Sequence, residues 1–323
     1  MEKKKRQQDA DAASNAAEMG GNSYHIPVML KETIEALHIN PDGVYVDCTF
    51  GGGGHSRAIL SQLGPKGKLI AFDQDADAAA NLPADPRILF VPENFRYMHR
   101  FLRLHGALPV DGVLADLGVS SHQFDEASRG FSFRFDAELD MRMDQRQPKT
   151  AATIINEYNA AALQNMFSMY GEVTNARTLA AAIVQERSKR PLQTIQDLLT
   201  VLEPLAKGNP NRYYAQVFQA IRIEVNEELA VLKEWLEQLP QVLKPGGRVA
   251  VITFHSLEDR LVKLFLRDGT FSREADPIYG HSSASPFELI SKKPIEASAE
   301  EVKMNDRSRS ARLRVAAMKE GAK

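Results

Sequence analysis

Cysteine is nearly absent from this chain: Cys48 is the only one in 323 residues. A lone thiol forms no intrachain disulfide and no cysteine-based zinc site, so neither holds the fold together. Aromatic residues are sparse at 7%, and tryptophan occurs once. Nowhere is there an apolar run of the roughly 20 residues that a transmembrane helix requires, so no membrane association is expected. An excess of one charge is lacking too. With a formal net charge of −2, no global field marks a nucleic-acid partner, although a local basic patch suffices for phosphate contacts. The first residues, MEKKKRQQDADAASNAAEMGGNS, have no apolar centre of the signal-peptide kind. Residues 1–23 read as a disordered tail on a cytoplasmic protein, with Lys3, Lys4, Lys5 and Arg6 solvated.

What the chain does have is a strong opening unit. Val44 to Ser56 reads VYVDCTFGGGGHS: a short apolar run ending in an acid, a glycine turn, then an amphipathic segment. Strand, glycine turn and helix in that order begin a nucleotide-type βαβ unit, whose ligand site lies at the C-terminal end of the strand. A second apolar run, KLIAFD, ends at Asp73, where a carboxylate can accept hydrogen bonds from ribose hydroxyls. This unit alone leaves S-adenosyl-L-methionine (AdoMet) and a dinucleotide both open. Against the dinucleotide, GGGGHS lacks a third glycine at the dinucleotide spacing.

Further strands are expected at Arg87–Pro92 and at Val110–Leu117, which carries Asp116, with Phe95 just beyond the third strand at the same sheet edge. Asp47, Asp73 and Asp116 then close three strands on one polar crevice. From Gly118 to Asp144 no period is sustained, and the phenylalanines argue for an ordered loop or a hairpin with alternate rings packed. From Thr150 to Ala206 the period is helical throughout, with Leu163, Met166, Phe167 and Tyr170 on one face. The expected domains are therefore a sheet domain in two parts, 24–144 and 212–323, around an all-helical insertion at 145–211.

Gln216 to Leu243 reads as a long helix broken at Pro240. Its Gln219, Arg222 and Asn226 share a face whose default place is the surface, with a buried role left open. A fifth strand, Val249–Phe254, leads to His255. Ser256 and Asp259 resemble a capping box, which leaves His255 unexplained and suggests a site role for it. Asp268 to Ser285 reads as a mobile loop. The last piece, Arg309–Met318, suits an edge strand, and Lys292, Lys293, Arg307, Arg309, Arg312 and Arg314 around it make the best local basic patch.

Several segments together go beyond a generic fold: HIPVMLKE (25–32), DCTFGGGGHS (47–56), DLGVSSHQFDEASRGFSFRFDAELDMRMD (116–144), FQAIRIEVNEEL (218–229) and FHSLEDRLVK (254–263). With RSRSARLRV (307–315) they resemble the bacterial 16S rRNA (cytosine-N4)-methyltransferase family. The resemblance covers nearly everything from Tyr24 onward. One departure is Asn211 to Gln216 (NRYYAQ), where the family commonly has His-Pro-Ala and a basic residue.

The resemblance implies a Rossmann-like α/β fold, mostly parallel with an antiparallel edge strand, and an inserted helical domain. It implies AdoMet as methyl donor, S-adenosyl-L-homocysteine as product, and as target the exocyclic amine of one cytidine in the decoding region of 16S rRNA, within the small ribosomal subunit. Carried over by motif, cofactor contacts fall on Gly53, Gly54, His55, Asp73, Phe95, Asp116 and Gln123. Asp116 is also placed to hold the target amine, and His255 to contact the base or take up a proton. No metal is expected. Methylation at ring carbon C5 would need a nucleophilic cysteine, and Cys48 lies inside the cofactor-loop motif. Two other classes remain as alternatives, a non-catalytic RNA-binding module on the same fold and a dinucleotide oxidoreductase; monomer and homodimer are both open.

Overall fold

The computed structural model describes residues 27–271 and 285–321. Elements follow in chain order: α1 (Leu30–Leu37), β1 (Val44–Asp47), α2 (Gly54–Gln62), β2 (Lys68–Phe72), β3 (Ile88–Val91), α3 (Met98–Leu104), β4 (Val110–Asp116) and α4 (Ser121–Asp125). Then come the helices α5 (Ala151–Glu157), α6 (Ala160–Gly171), α7 (Ala176–Arg187), α8 (Ile195–Leu202), α9 (Pro210–Asn226) and α10 (Glu228–Val242). The chain returns to the sheet with β5 (Leu243–Thr253), α11 (Ser256–Asp268), β6 (Phe287–Leu289), β7 (Ile295–Glu296), α12 (Ala299–Met304) and β8 (Arg312–Met318).

The strands order as β3-β2-β1-β4-β5-β8-β6, with β7 also on β8. The first five run parallel, and β8 runs antiparallel to β5. This is the Rossmann-like methyltransferase arrangement, with all five parallel strands ending at one edge. Alternation along each strand decides which side is covered by what. Val113 and Ala115 of β4 and Val249 and Val251 of β5 face α10, with Trp235, Leu236 and Leu239. Leu114, Ala250 and Ile252 face the opposite layer, formed by Ile34 and Leu37 of α1 and Ile59 and Leu60 of α2.

A separate apolar cluster joins α5 to α8. Leu163, Met166 and Phe167 meet Leu179, Ile183, Ile195 and Leu198, as the 3.6-residue period requires. The same cluster takes in Val217, Phe218 and Ile221 of α9, and Phe131, Leu139, Met141 and Met143 of the long loop.

Several elements differ from expectation. The helical break falls at Glu227, in the left-handed region at φ 51°, and not at Pro240, which α10 accommodates within its last turn. The proline forfeits one backbone hydrogen bond, to the carbonyl four residues back, and the burial of Trp235, Leu236 and Leu239 against the sheet holds the helix together past it. The aromatic loop is no hairpin: it makes α4, a 3-10 turn at Ala127–Arg129 and a single bridge from Glu138 to Thr194. Strand β8 is flanked on its outer side by β6 and β7. The tail residues 1–23 and most of the expected mobile loop lie outside the described residues.

Candidate active site

The site is built at the C-terminal edge of the parallel strands. After β1 the glycine turn puts Gly51 (φ 49°) and Gly53 (φ 73°) in the left-handed region. A Cβ on Gly53 would lie 2.8 Å from the Phe50 ring, and one on Gly54 only 2.1 Å from Pro27. Both glycines are thus demanded by the chain's own contacts. Gly52 alone has open space where a Cβ would stand, with nothing within 4 Å.

Asp73, just past β2, receives the Gly51 N–H on Oδ2 (2.7 Å) and the Asp75 N–H on Oδ1 (2.8 Å). Each oxygen keeps a lone pair for a further donor. Burial, moderated by those two N–H groups, pushes the Asp73 carboxyl up to about 6. Asp47 is buried at the tip of β1, accepts from Ser56 Oγ at 2.7 Å and from Thr49 N–H at 3.1 Å, and is raised by burial despite them.

Asp116 closes β4. Its Oδ1 is buried without a hydrogen-bond partner, although 24% of the side chain is exposed. Burial, with the nearby Asp47 and Glu258 carboxylates, holds it well above the usual carboxylate range. His55 Nδ1 stands 3.7 Å from Asp116 Oδ2. Burial takes His55 down to about 4, against its bond to the Val28 carbonyl, so the ring is neutral near pH 7 and the approach is not an ion pair. Asp47, Asp73 and Asp116 therefore gather acceptors at one edge, in a setting that favours a cationic guest.

Gln123 sits in α4, where it is locked rather than free. Its Oε1 accepts the Ser120 N–H as part of a capping box, and its Nε2 donates to Asp75 at 2.7 Å. Asp75 in turn meets Arg129, buried to 5% exposure, at 2.9 Å. Phe95 follows β3, half-buried, its ring edge-on to Trp235 at 5.8 Å. Between Asp73 and Phe95, Gln74 accepts from Asn94 Nδ2 at 2.7 Å.

His255 follows β5 and is itself the N-cap of α11. Its Nδ1 accepts the Glu258 N–H (3.4 Å), and Glu258 returns bonds to the Phe254 and His255 N–H groups. The expected Ser256–Asp259 box is therefore shifted by one residue, and capping accounts for the histidine that had looked unexplained. Its Nε2 lies 3.1 Å from Glu258 Oε1 but off the hydrogen-bond direction. Burial opposes ionisation of Glu258, yet His255 and Arg222 outweigh it and hold that carboxyl below its ordinary range.

The structure thus brings Gly53, Gly54, His55, Asp73, Phe95, Asp116 and His255 to one sheet edge, with Gln123 on α4 joined to it through Asp75. Sequence reasoning missed Gly52, Gln74, Asp75 and Arg129. It also missed Glu258, which the spacing of three from His255 could have flagged. The four arginines of the basic patch do not stand free: Arg314 is bidentate to Asp259 (2.7 and 2.9 Å), Arg312 reaches the same carboxylate, Arg307 pairs with Asp125 and Arg309 with Asp306.

Comparison with known proteins supplies the family. The model of the MraW methylase family matches residues 22–319. The chain belongs to the MraW methylase family. Proteins named ribosomal RNA small subunit methyltransferase H share 55% identity with it. That of Parabacteroides distasonis matches over 91% of this chain and 97% of its own length, and that of Cytophaga hutchinsonii over 91% and 99%. A crystal structure of an rRNA methylase from Streptococcus thermophilus covers 90% of this chain and 94% of that one, at 10% identity and TM-score 0.40; so loose a likeness adds nothing to the strand order.

As an MraW-family methylase, the chain uses AdoMet as its methyl donor, and the dinucleotide alternative falls away. The residues fit that cofactor. Gly52 leaves open space beside the loop, Asp73 retains acceptor capacity, and the acids around Asp116 suit a sulfonium cation. Among the described residues no helix is long and apolar enough to cross a membrane.

Proposed function

We propose that this chain methylates the exocyclic N4 amine of a cytidine in the decoding region of 16S rRNA, within the small ribosomal subunit. The observation that carries the substrate is the 55% identity to small-subunit rRNA methyltransferases along nine-tenths of the chain. The cytidine and its N4 rest on the motifs at 116–144 and 254–263. A cytoplasmic setting follows from that substrate. The framework of this reading is a sheet domain in two parts (24–144 and 212–323) and a helical insertion (145–211). Helix α9 and the loop residues Phe131 to Met143, largely inside the sheet-domain bounds, pack on the insertion to form one helical lobe.

AdoMet, when bound, supplies a methyl group on a sulfonium, open to in-line displacement by an amine lone pair. Such a reaction needs alignment more than a strong base. We assign Asp73 to the ribose hydroxyls, and the Gly53–Gly54–His55 turn, Phe95 and Gln123 to the walls that hold the cofactor. Asp116 accepts an N–H of the target amine through its exposed oxygen, which favours the pyramidal nitrogen that attack requires. The amine then sheds one proton, to Asp116 or to the His255 ring once that ring turns from Glu258. The base must leave its helix, or come from a flexible region, to reach an edge this recessed.

Incubation with methyl-labelled AdoMet and small subunits from cells lacking the corresponding gene tests this directly. The expected product is N4-methylated cytidine in the decoding region, lost in Asp116→Ala. Label on another base would retain the cofactor and discard the substrate.

A further inference from the structure

We propose that Arg222 and Asn226, on one stripe of α9, are positioning residues that hold the cofactor wall and the base wall of the crevice from the helical lobe. The cofactor arm of this proposal needs only AdoMet binding; the base arm rests on the function proposed above.

Spacings of three and four put Gln219, Arg222 and Asn226 on one helix face. Gln219 donates to the Tyr170 carbonyl at 2.9 Å, within the lobe. Asn226 reaches the other way. Its Oδ1 accepts the Met143 N–H at 2.8 Å and its Nδ2 donates to the Met141 carbonyl at 2.8 Å. Met141 is held at φ 59°, a conformation that costs a non-glycine residue energy and persists only where its surroundings enforce it. Met143 Sδ then lies 3.5 Å from Gln74 Nε2, beside Asp73. Asn226 therefore presses the 141–143 segment against the end of β2 where the cofactor's acceptor stands.

One turn earlier, Arg222 makes a bidentate pair with Glu228 at 2.7 and 2.9 Å. Glu228 offers a carboxylate oxygen within 4.8 Å of both a His255 ring nitrogen and a Glu258 oxygen. Two largely buried carboxylates so close repel each other unless a cation stands beside them. Arg222 is that cation. Without it, the repulsion between Glu228 and Glu258 falls on the cap that fixes His255 and, through Glu258, on Asp116. The same three side chains resemble a metal-ligand set, but Arg222 already occupies both oxygens of Glu228.

The test uses the full-length protein, AdoMet affinity by calorimetry without RNA, kcat and KM on small subunits, and Tm. Asn226→Ala is expected to weaken AdoMet binding about tenfold by leaving the Met143 N–H unpaired, with kcat near that of wild type. Asn226→Gln, which keeps both the acceptor and the donor, should recover part of the loss and guards against a folding defect. Arg222→Gln is expected to lower kcat about tenfold or more with AdoMet affinity unchanged. Arg222→Lys, or the exchange Arg222→Glu with Glu228→Arg, should restore part of it. Parallel losses of affinity and turnover that track Tm in both variants would overturn the proposal, as would no change in either. Chelator-sensitive turnover restored by a divalent cation would overturn the base arm. If wild type binds AdoMet yet labels no small subunit, the substrate reading falls and the Asn226 arm alone decides.

Discussion

Asp73 acts as an acceptor, so its proton governs how well it serves. Raised to about 6 by burial, it is ionised above that pH and protonated below it. A ribose hydroxyl donor and a cationic cofactor both favour the ionised form. AdoMet affinity should therefore hold from pH 8 to about 6.5 and then weaken by up to about tenfold per unit as pH falls further. In Asp73→Asn the affinity should be poor throughout and nearly flat over the same range; a wild-type profile equally flat would remove Asp73 from the binding reading. For folding, the same raised carboxyl contributes stability that is complete below its unfolded pKa and lost as pH rises through about 6. His55, lowered to about 4, acts with the opposite sign, its contribution present above about 6.5 and lost as pH falls toward 4. The glycine turn separates fold from ligand in a similar way. Gly54→Ala drives a Cβ to 2.1 Å from Pro27, and overpacking of this kind costs about 1–3 kcal/mol in chemical denaturation. Gly52→Ala meets open space, so stability should change little while AdoMet affinity falls.

At the scale of elements, capping and chemistry meet at the start of α11. His255→Ala removes the N-cap and should cost about 1 kcal/mol. His255→Asn keeps a good capping side chain and should retain Tm. If the asparagine variant keeps turnover as well, the ring serves the helix alone; lost turnover at unchanged Tm points to the base or the proton. The antiparallel strand β8 offers a second contrast. Arg314 is almost buried on Asp259, and Arg314→Ala leaves that carboxylate only the longer Arg312 contact at 3.4 Å. It should cost more than loss of an exposed pair, up to about 3 kcal/mol. Arg309, exposed with Asp306, should cost under about 1 kcal/mol when replaced. Arg309→Ala can therefore report on RNA docking without that loss of stability, through a shallower dependence of binding on salt; the same slope as wild type would mean a merely solvated end.

For the whole molecule, the sheet and its site edge were legible because each is local. Short apolar runs marked the parallel strands, the turn glycines marked β1–α2, and acids at strand ends marked the edge. The lobe's helices were legible from their 3.6-residue stripes. The aromatic loop was not, because its partners are remote: Met143 meets Asn226 across 83 residues and Gln74 across 69. The break between α9 and α10 was misplaced because proline is visible in sequence, whereas Glu227 takes a left-handed backbone only in the folded chain. The arginine patch reads as free charge until Asp259, Asp125 and Asp306 are brought to it. By itself, then, the sequence determined the α/β class, the acids at the strand ends and, through its motifs, the family, since these depend on neighbours a few positions apart. Only tertiary structure decided which charges are already paired, which glycine has open space beside it, and that Arg222 pairs with Glu228 and Asn226 with the 141–143 segment. Those outcomes depend on burial and on pair distances between distant segments, which no local pattern encodes.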